Sequence, residues 1–179
     1  MNVMNRQTLY ALFAAFVLIL AARNSRAADA FDAVRCNADV GKALVGKKIK
    51  NEPVAVIEKR HAAIGLKYEG GDEIAESLFY QSWIVCDASF HLLQRHDVVS
   101  DAVHADHSKT APSFLGTCTV DGKETPYPVL AILDPRGADG TLHAKTAWRI
   151  DEANAKFVAM DAKGLACPRA GIATADGGR

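Results

Sequence analysis

From Leu78 onward the chain is cut into short apolar runs by turn residues, and that rhythm limits the fold more than any other feature. The run Leu78 to Cys86 reads LFYQSWIVC, dense in aromatic and β-branched residues that suit a pleated, half-buried surface. A tight turn at Asp87-Ala88-Ser89 leads to a partner strand from Phe90 to Gln94, and Arg95-His96-Asp97 turns again into Val98 to Ala105. Further runs follow at Phe114 to Val120, Pro128 to Leu133, Leu142 to Asp151 and Lys156 to Met160, separated by Asp121-Gly122, the loop Asp134 to Gly140, and Glu152 to Ala155. Short strands with turns every 8–12 residues or so predict an antiparallel meander.

The segment before Leu78 reads differently. Asn37 is a fair N-cap for a short helix from Ala38 to Lys47, with Val40, Ala43 and Leu44 on one face. Beyond Pro53, the β-branched run Val54 to Ile57 predicts a strand, and Ile64 to Tyr68 a second one closed by a Gly70-Gly71 turn. The expected fold is α+β: an N-terminal helix packed on a curved antiparallel β-meander of about six or seven strands. Trp83, Ile84, Val85, Leu92, Leu115, Leu130, Ile132, Trp148 and Val158 are its candidate core.

Residues 1–27 read as an export leader. Arg6 supplies a positive start, and Thr8 to Ala22 is an apolar run of 15 residues without a charge. A membrane span needs roughly 20 residues, so the run suits a signal-peptide core better. Small residues then permit cleavage after Ala27 or after Ala30. Arg23 and Arg26, beyond the apolar run, oppose translocation and favour an uncleaved anchor as the alternative. The expected organisation is a leader over 1–27, one domain over 28–171 and a loose tail over 172–179.

Four cysteines, Cys36, Cys86, Cys118 and Cys167, fall in the mature part, separated by 50, 32 and 49 positions. An even number in an exported chain implies two disulfides, with three connectivities open. No C-x-x-C occurs, so neither a thioredoxin-like motif nor a zinc knuckle has its signature. Lys+Arg and Asp+Glu both number 21. That balance gives no attraction to nucleic acid or to an anionic membrane. Cleavage after Ala27 would leave 18 basic and 21 acidic residues. A periplasmic or secreted protein, free of the membrane once the leader is cut, is the expectation.

The densest cluster of chemical side chains is His96-Asp97…Asp101…His104-Ala105-Asp106-His107. Imidazole and carboxylate are ligands for borderline divalent metals, so His96, His104 and His107 form a candidate metal site. Strand alternation works against it: His107 comes round to His104 only if the chain turns at Ala105-Asp106. No serine sits in a G-x-S-x-G turn. Glu58, Glu69, Asp72, Glu73 and Glu76 bracket Gly70-Gly71 and supply carboxylates for a glycosidase-like pair. No Gly-rich loop has a phosphate-binding pattern, so no cofactor is expected beyond a divalent metal. Length, leader, cysteine usage and expected sheet together resemble the small exported inhibitors that bacteria use against lysozyme. The resemblance covers architecture and no motif: a histidine loop bracketed by close cysteines and a Ser/Gly-rich inhibitory segment are both missing.

The leading expectation is a periplasmic binding or inhibitor-type module without catalytic activity, engaging another protein or a cell-envelope ligand through loops such as Ala105 to Pro112 or Asp134 to Gly140. A metal-binding protein using the His/Asp cluster and a small periplasmic hydrolase are the alternatives.

Overall fold

The computed structural model describes residues 28–136 and 141–168; the expected leader and C-terminal tail lie outside the described residues. Antiparallel strands dominate. Four of them form a meander: β1 (Lys67–Ala75), β2 (Leu78–Val85), β3 (Ala88–Arg95) and β4 (Val98–His104), side by side in chain order. Two-residue turns join the last three. Cys86-Asp87 and His96-Asp97 both have positive φ at each residue, the type I′ geometry whose twist matches that of the flanking strands.

The other strands are β5 (Ser113–Gly116), β6 (Thr119–Val120), β7 (Lys123–Glu124), β8 (Val129–Leu133), β9 (Thr141–Asp151), β10 (Lys156–Met160) and β11 (Leu165–Pro168). They form a second sheet in the order β5-β8-β9-β11-β6-β7, with β10 paired to β9. The expected Phe114–Val120 strand is two strands, because the backbone breaks between Gly116 and Thr119. β9 outruns its neighbours: β10 pairs with Ala147 to Asp151 and β11 with Thr141 to His143. This sheet curls around an apolar cluster of Phe114, Val129, Ala131, Leu133, Leu142 and Leu165, which also holds Cys118 and Cys167.

Among the described residues two short α-helices precede the strands, α1 (Val40–Leu44) and α2 (Val54–Arg60). The first is half the expected length. Its cap is Asp39, whose side chain accepts from Lys42 N–H, rather than Asn37, and the left-handed Gly46 follows its end. The second overturns the strand expected at Val54–Ile57. Pro53 takes the N-cap position and Ile57 is buried, while Val54 and Val56 face solvent. Lys59 and Arg60 occupy the last turn, where cations suit the helix dipole. Local β-propensity therefore loses to one buried side chain and the ion pairs of Arg60 with Asp29 and Glu52. Gly70-Gly71 is likewise not a turn. It lies inside β1, where a Cβ on Gly71 would come within 2.7 Å of the Tyr80 carbonyl oxygen.

The meander is covered on both faces. On one, Val40, Leu44 and Ile57 of the helices pack with Phe31, Trp83, Val85, Phe90, Leu92 and Val99. On the other, Leu78, Tyr80 and Leu93 meet Leu130, Ile150 and Phe157 of the second sheet. Asp101 Oδ2 accepts from Phe157 N–H at 2.8 Å and joins the two sheets. Of the candidate core, Trp83, Val85, Leu92, Leu130 and Ile132 are buried; Ile84, Leu115, Trp148 and Val158 are only half-buried. The disulfides are Cys36–Cys86 and Cys118–Cys167, the sequential pairing among the three open connectivities. No helix among the described residues is long and apolar enough to cross a membrane.

Candidate functional site

Polar side chains converge on the meander face that looks toward the second sheet. In the β2–β3 register Tyr80 stands opposite Leu93 and Ser82 opposite His91, so Tyr80, Ser82 and His91 share that face. On β1 the register slips between Tyr68 and Gly70, and Glu69 at this irregularity reaches the same group. After β4 the chain turns back over the sheet and brings Ala105, Asp106 and His107 onto it.

Each contact has a definite direction. His91, wholly buried, lies 3.0 Å through Nε2 from the Ala105 carbonyl oxygen. A carbonyl only accepts, so Nε2 carries the proton and Nδ1 is left as an acceptor. The Tyr80 hydroxyl then donates to Nδ1, at 2.5 Å. Burial is the main reason the His91 pKa falls to about 4, so the ring is neutral at physiological pH. Burial also raises the Tyr80 phenol.

His107 Nε2 sits 3.3 Å from Glu69 Oε2, with the two side chains 12 % and 13 % exposed. Ser82 Oγ donates to the same oxygen at 3.0 Å. Burial alone would raise the Glu69 carboxyl, but the hydrogen bond and charge of His107, with Ser82, hold it below its ordinary value. The carboxylate in turn raises His107 against the opposing effect of its burial. The cluster thus holds one neutral imidazole, His91, and a second, His107, paired with the Glu69 carboxylate, with the two rings 5.4 Å apart.

Apart from His107 Nδ1, which is buried without a hydrogen-bond partner, these groups are occupied with one another. In a serine relay the hydroxyl bonds an imidazole that the acid orients. Here Ser82 donates to the acid itself, and both nitrogens of His91 are engaged. Of the carboxylates around Gly70-Gly71, Glu69 alone joins the cluster, while Glu58 accepts from Tyr68 N–H. A separate open groove of about 420 Å³ lies where β10 leaves β9, lined by residues 144–148 and 159–163. Its one acid, Asp161, is held by Lys163 N–H at 2.9 Å.

The proposed metal ligands are spread out. His96 is in the β3–β4 turn, and a strand of that length puts it about 20 Å from His104. The chain does turn at Ala105-Asp106, yet the next two imidazoles part. His104 stacks on Phe90, on the helix side of the sheet, and lies 3.1 Å from Asp106 Oδ1; His107 lies on the opposite face with Glu69. Among the described residues no three His, Cys, Asp or Glu side chains are grouped as a metal ion requires.

The cluster holds the loop that covers it. Ala105 N–H donates to the Ser89 carbonyl, and Ser89 N–H donates back to Asp106 Oδ1 at 2.9 Å. Beyond His107 the loop closes on itself: Ser108 and Ala111 exchange both backbone hydrogen bonds, and Ser108 Oγ accepts from Thr110 N–H. Ser108, Lys109 and Thr110 are exposed at its tip. Sequence reasoning missed His91 and Tyr80, whose only signal was a polar residue at alternate positions of two apolar strands. Comparison with protein-family models, with curated proteins and with solved structures gives no significant match to this chain.

Proposed function

We propose that this chain is an exported binding module of the inhibitor type, that it presents residues 105–112 to another protein or a cell-envelope ligand, and that it has no catalytic step of its own. One observation carries the reading: an exposed, internally hydrogen-bonded tip at Ser108–Thr110 stands on a base fixed by a buried polar network. Holding a loop in one shape before contact removes part of the ordering cost of association. The acid–base groups beneath it serve that fixing rather than an open cleft. Two disulfides and the apolar leader support folding outside the cytoplasm, in the periplasm or beyond.

The test places a photocrosslinking amino acid at Lys109 and, as control, at the exposed Lys156 in cells making the protein. Adducts from position 109 only, suppressed by excess wild-type protein and not by a Lys109→Ala/Thr110→Ala variant, are expected. Adducts equal at both positions, or none at position 109, would overturn the reading.

A further inference from the structure

Two positions in the sequence offer small residues for a signal peptidase, and the fold separates them. We infer that the leader is removed by hydrolysis of the Ala27–Ala28 bond and not of Ala30–Phe31; this rests on the export reading above. Water adds across the bond, leaving a carboxylate on Ala27 and an ammonium on Ala28.

Among the described residues, Asp29 is the first whose side chain the fold holds. Its side chain is 0 % exposed and forms an ion pair with Arg60 of α2. Its Oδ1 accepts from Phe31 N–H at 3.2 Å, and its own N–H donates to Asp32 Oδ2 at 2.9 Å, a reciprocal cap on the turn Ala30–Ala33. His61 Nε2 stands 3.7 Å from the same carboxylate. Ala30, also 0 % exposed, donates its N–H to the Lys48 carbonyl at 2.9 Å. A cut after Ala30 deletes all of these contacts and leaves Arg60 with Glu52 as its remaining carboxylate.

The new chain end matters as much as the lost residues. Phe31 is 1 % exposed and packs 4.9 Å from the Trp83 ring. Beginning the chain there puts an ammonium charge on a buried residue just after removing the carboxylate that faced its N–H. Ala28 is exposed, so a chain that begins there keeps its ammonium in water.

Intact-mass measurement and N-terminal sequencing of protein recovered from the cell envelope should give Ala28 as the first residue. Purified chains beginning at Ala28 and at Phe31, with disulfides formed, provide the second readout. The shorter chain should melt roughly 10 °C lower or fail to fold, and Asp29→Asn in the longer chain should lower its Tm in the same direction. A mature chain beginning at Phe31 would overturn the assignment, as would equal melting of all three proteins. Recovery of full-length chain in the membrane or cytoplasm would overturn the export reading with it, and is told apart by the leader still being attached.

Discussion

Replacing His91 with Leu tests the polar network where it is most buried. The substitution roughly keeps volume but leaves two groups without partners, the Tyr80 hydroxyl and the Ala105 carbonyl. Each unsatisfied buried group costs about 1–3 kcal/mol, so His91→Leu should destabilise the protein by about 2–6 kcal/mol at pH 7. Tyr80→Phe should cost about 1–3 kcal/mol, since it strands only the Nδ1 acceptor. In the double variant neither the Tyr80 hydroxyl nor the His91 Nδ1 exists to be stranded, so its cost should fall short of the sum by about 2–6 kcal/mol and only the Ala105 carbonyl is left without its partner. Acidity supplies a second, independent signature. Burial brings the His91 pKa down from 6.5 to about 4, so between those values the unfolded chain binds a proton that the fold refuses. The stabilisation is complete above pH 6.5 and declines as the pH falls toward 4, by about 3 kcal/mol in all. Glu69 and His107 are present in both proteins, so the advantage of wild type over His91→Leu should shrink over that window. Urea unfolding of the three variants and wild type from pH 4 to 7.5, disulfides intact, measures all of this. Additive single costs at pH 7, or a difference between wild type and His91→Leu that does not change with pH, would refute the assignment of a neutral, doubly bonded His91.

Other outcomes follow from the same geometry. His104→Ala should change stability by less than about 0.5 kcal/mol because the ring is exposed, whereas His107→Ala should cost about 1–3 kcal/mol by stranding Glu69; chemical denaturation distinguishes this from the equal effects expected of two ligands to one metal. Peptide mapping under non-reducing conditions should recover Cys36 linked to Cys86 and Cys118 linked to Cys167, and any crossed pair contradicts the fold. Removing the Cys118–Cys167 bridge, which spans 49 positions, should lower stability by about 4 kcal/mol on the chain-entropy account, read as a urea midpoint shift. Gly71→Ala should destabilise by about 2 kcal/mol or more, because the Tyr80 carbonyl is backbone and cannot move aside as a side chain would.

What the sequence made legible, and what it hid, divides along the range of the interactions involved. The hairpins β2–β3–β4 could be read because each is a local object: an apolar run, a two-residue turn and another run. The second turn falls within the expected Arg95-His96-Asp97, while the first begins one residue before Asp87-Ala88-Ser89, since Cys86 takes the positive φ that an Asn would ordinarily hold. Val54 to Ile57 misled because four β-branched or small residues suit either a strand or a short helix. The choice between them was made by Asp29, more than twenty positions away, which draws Arg60 inward. The polar cluster was hidden for the same kind of reason. His91, set between Phe90 and Leu92, reads as an ordinary core position, and Ser82 has no motif around it. They meet because the β2–β3 register sets them opposite each other, and Glu69 joins because β1 slips its pairing beside them. No local pattern encodes that slip. The histidine spacing drew attention to this segment, but imidazoles close in sequence are sent to opposite faces of the sheet, and His107 pairs with a glutamate from β1. The turn at Ala105-Asp106 that a metal site would have needed instead lays the loop over His91, so His91, Ser89 and Glu69 fix its base and leave Ser108–Thr110 exposed at its tip.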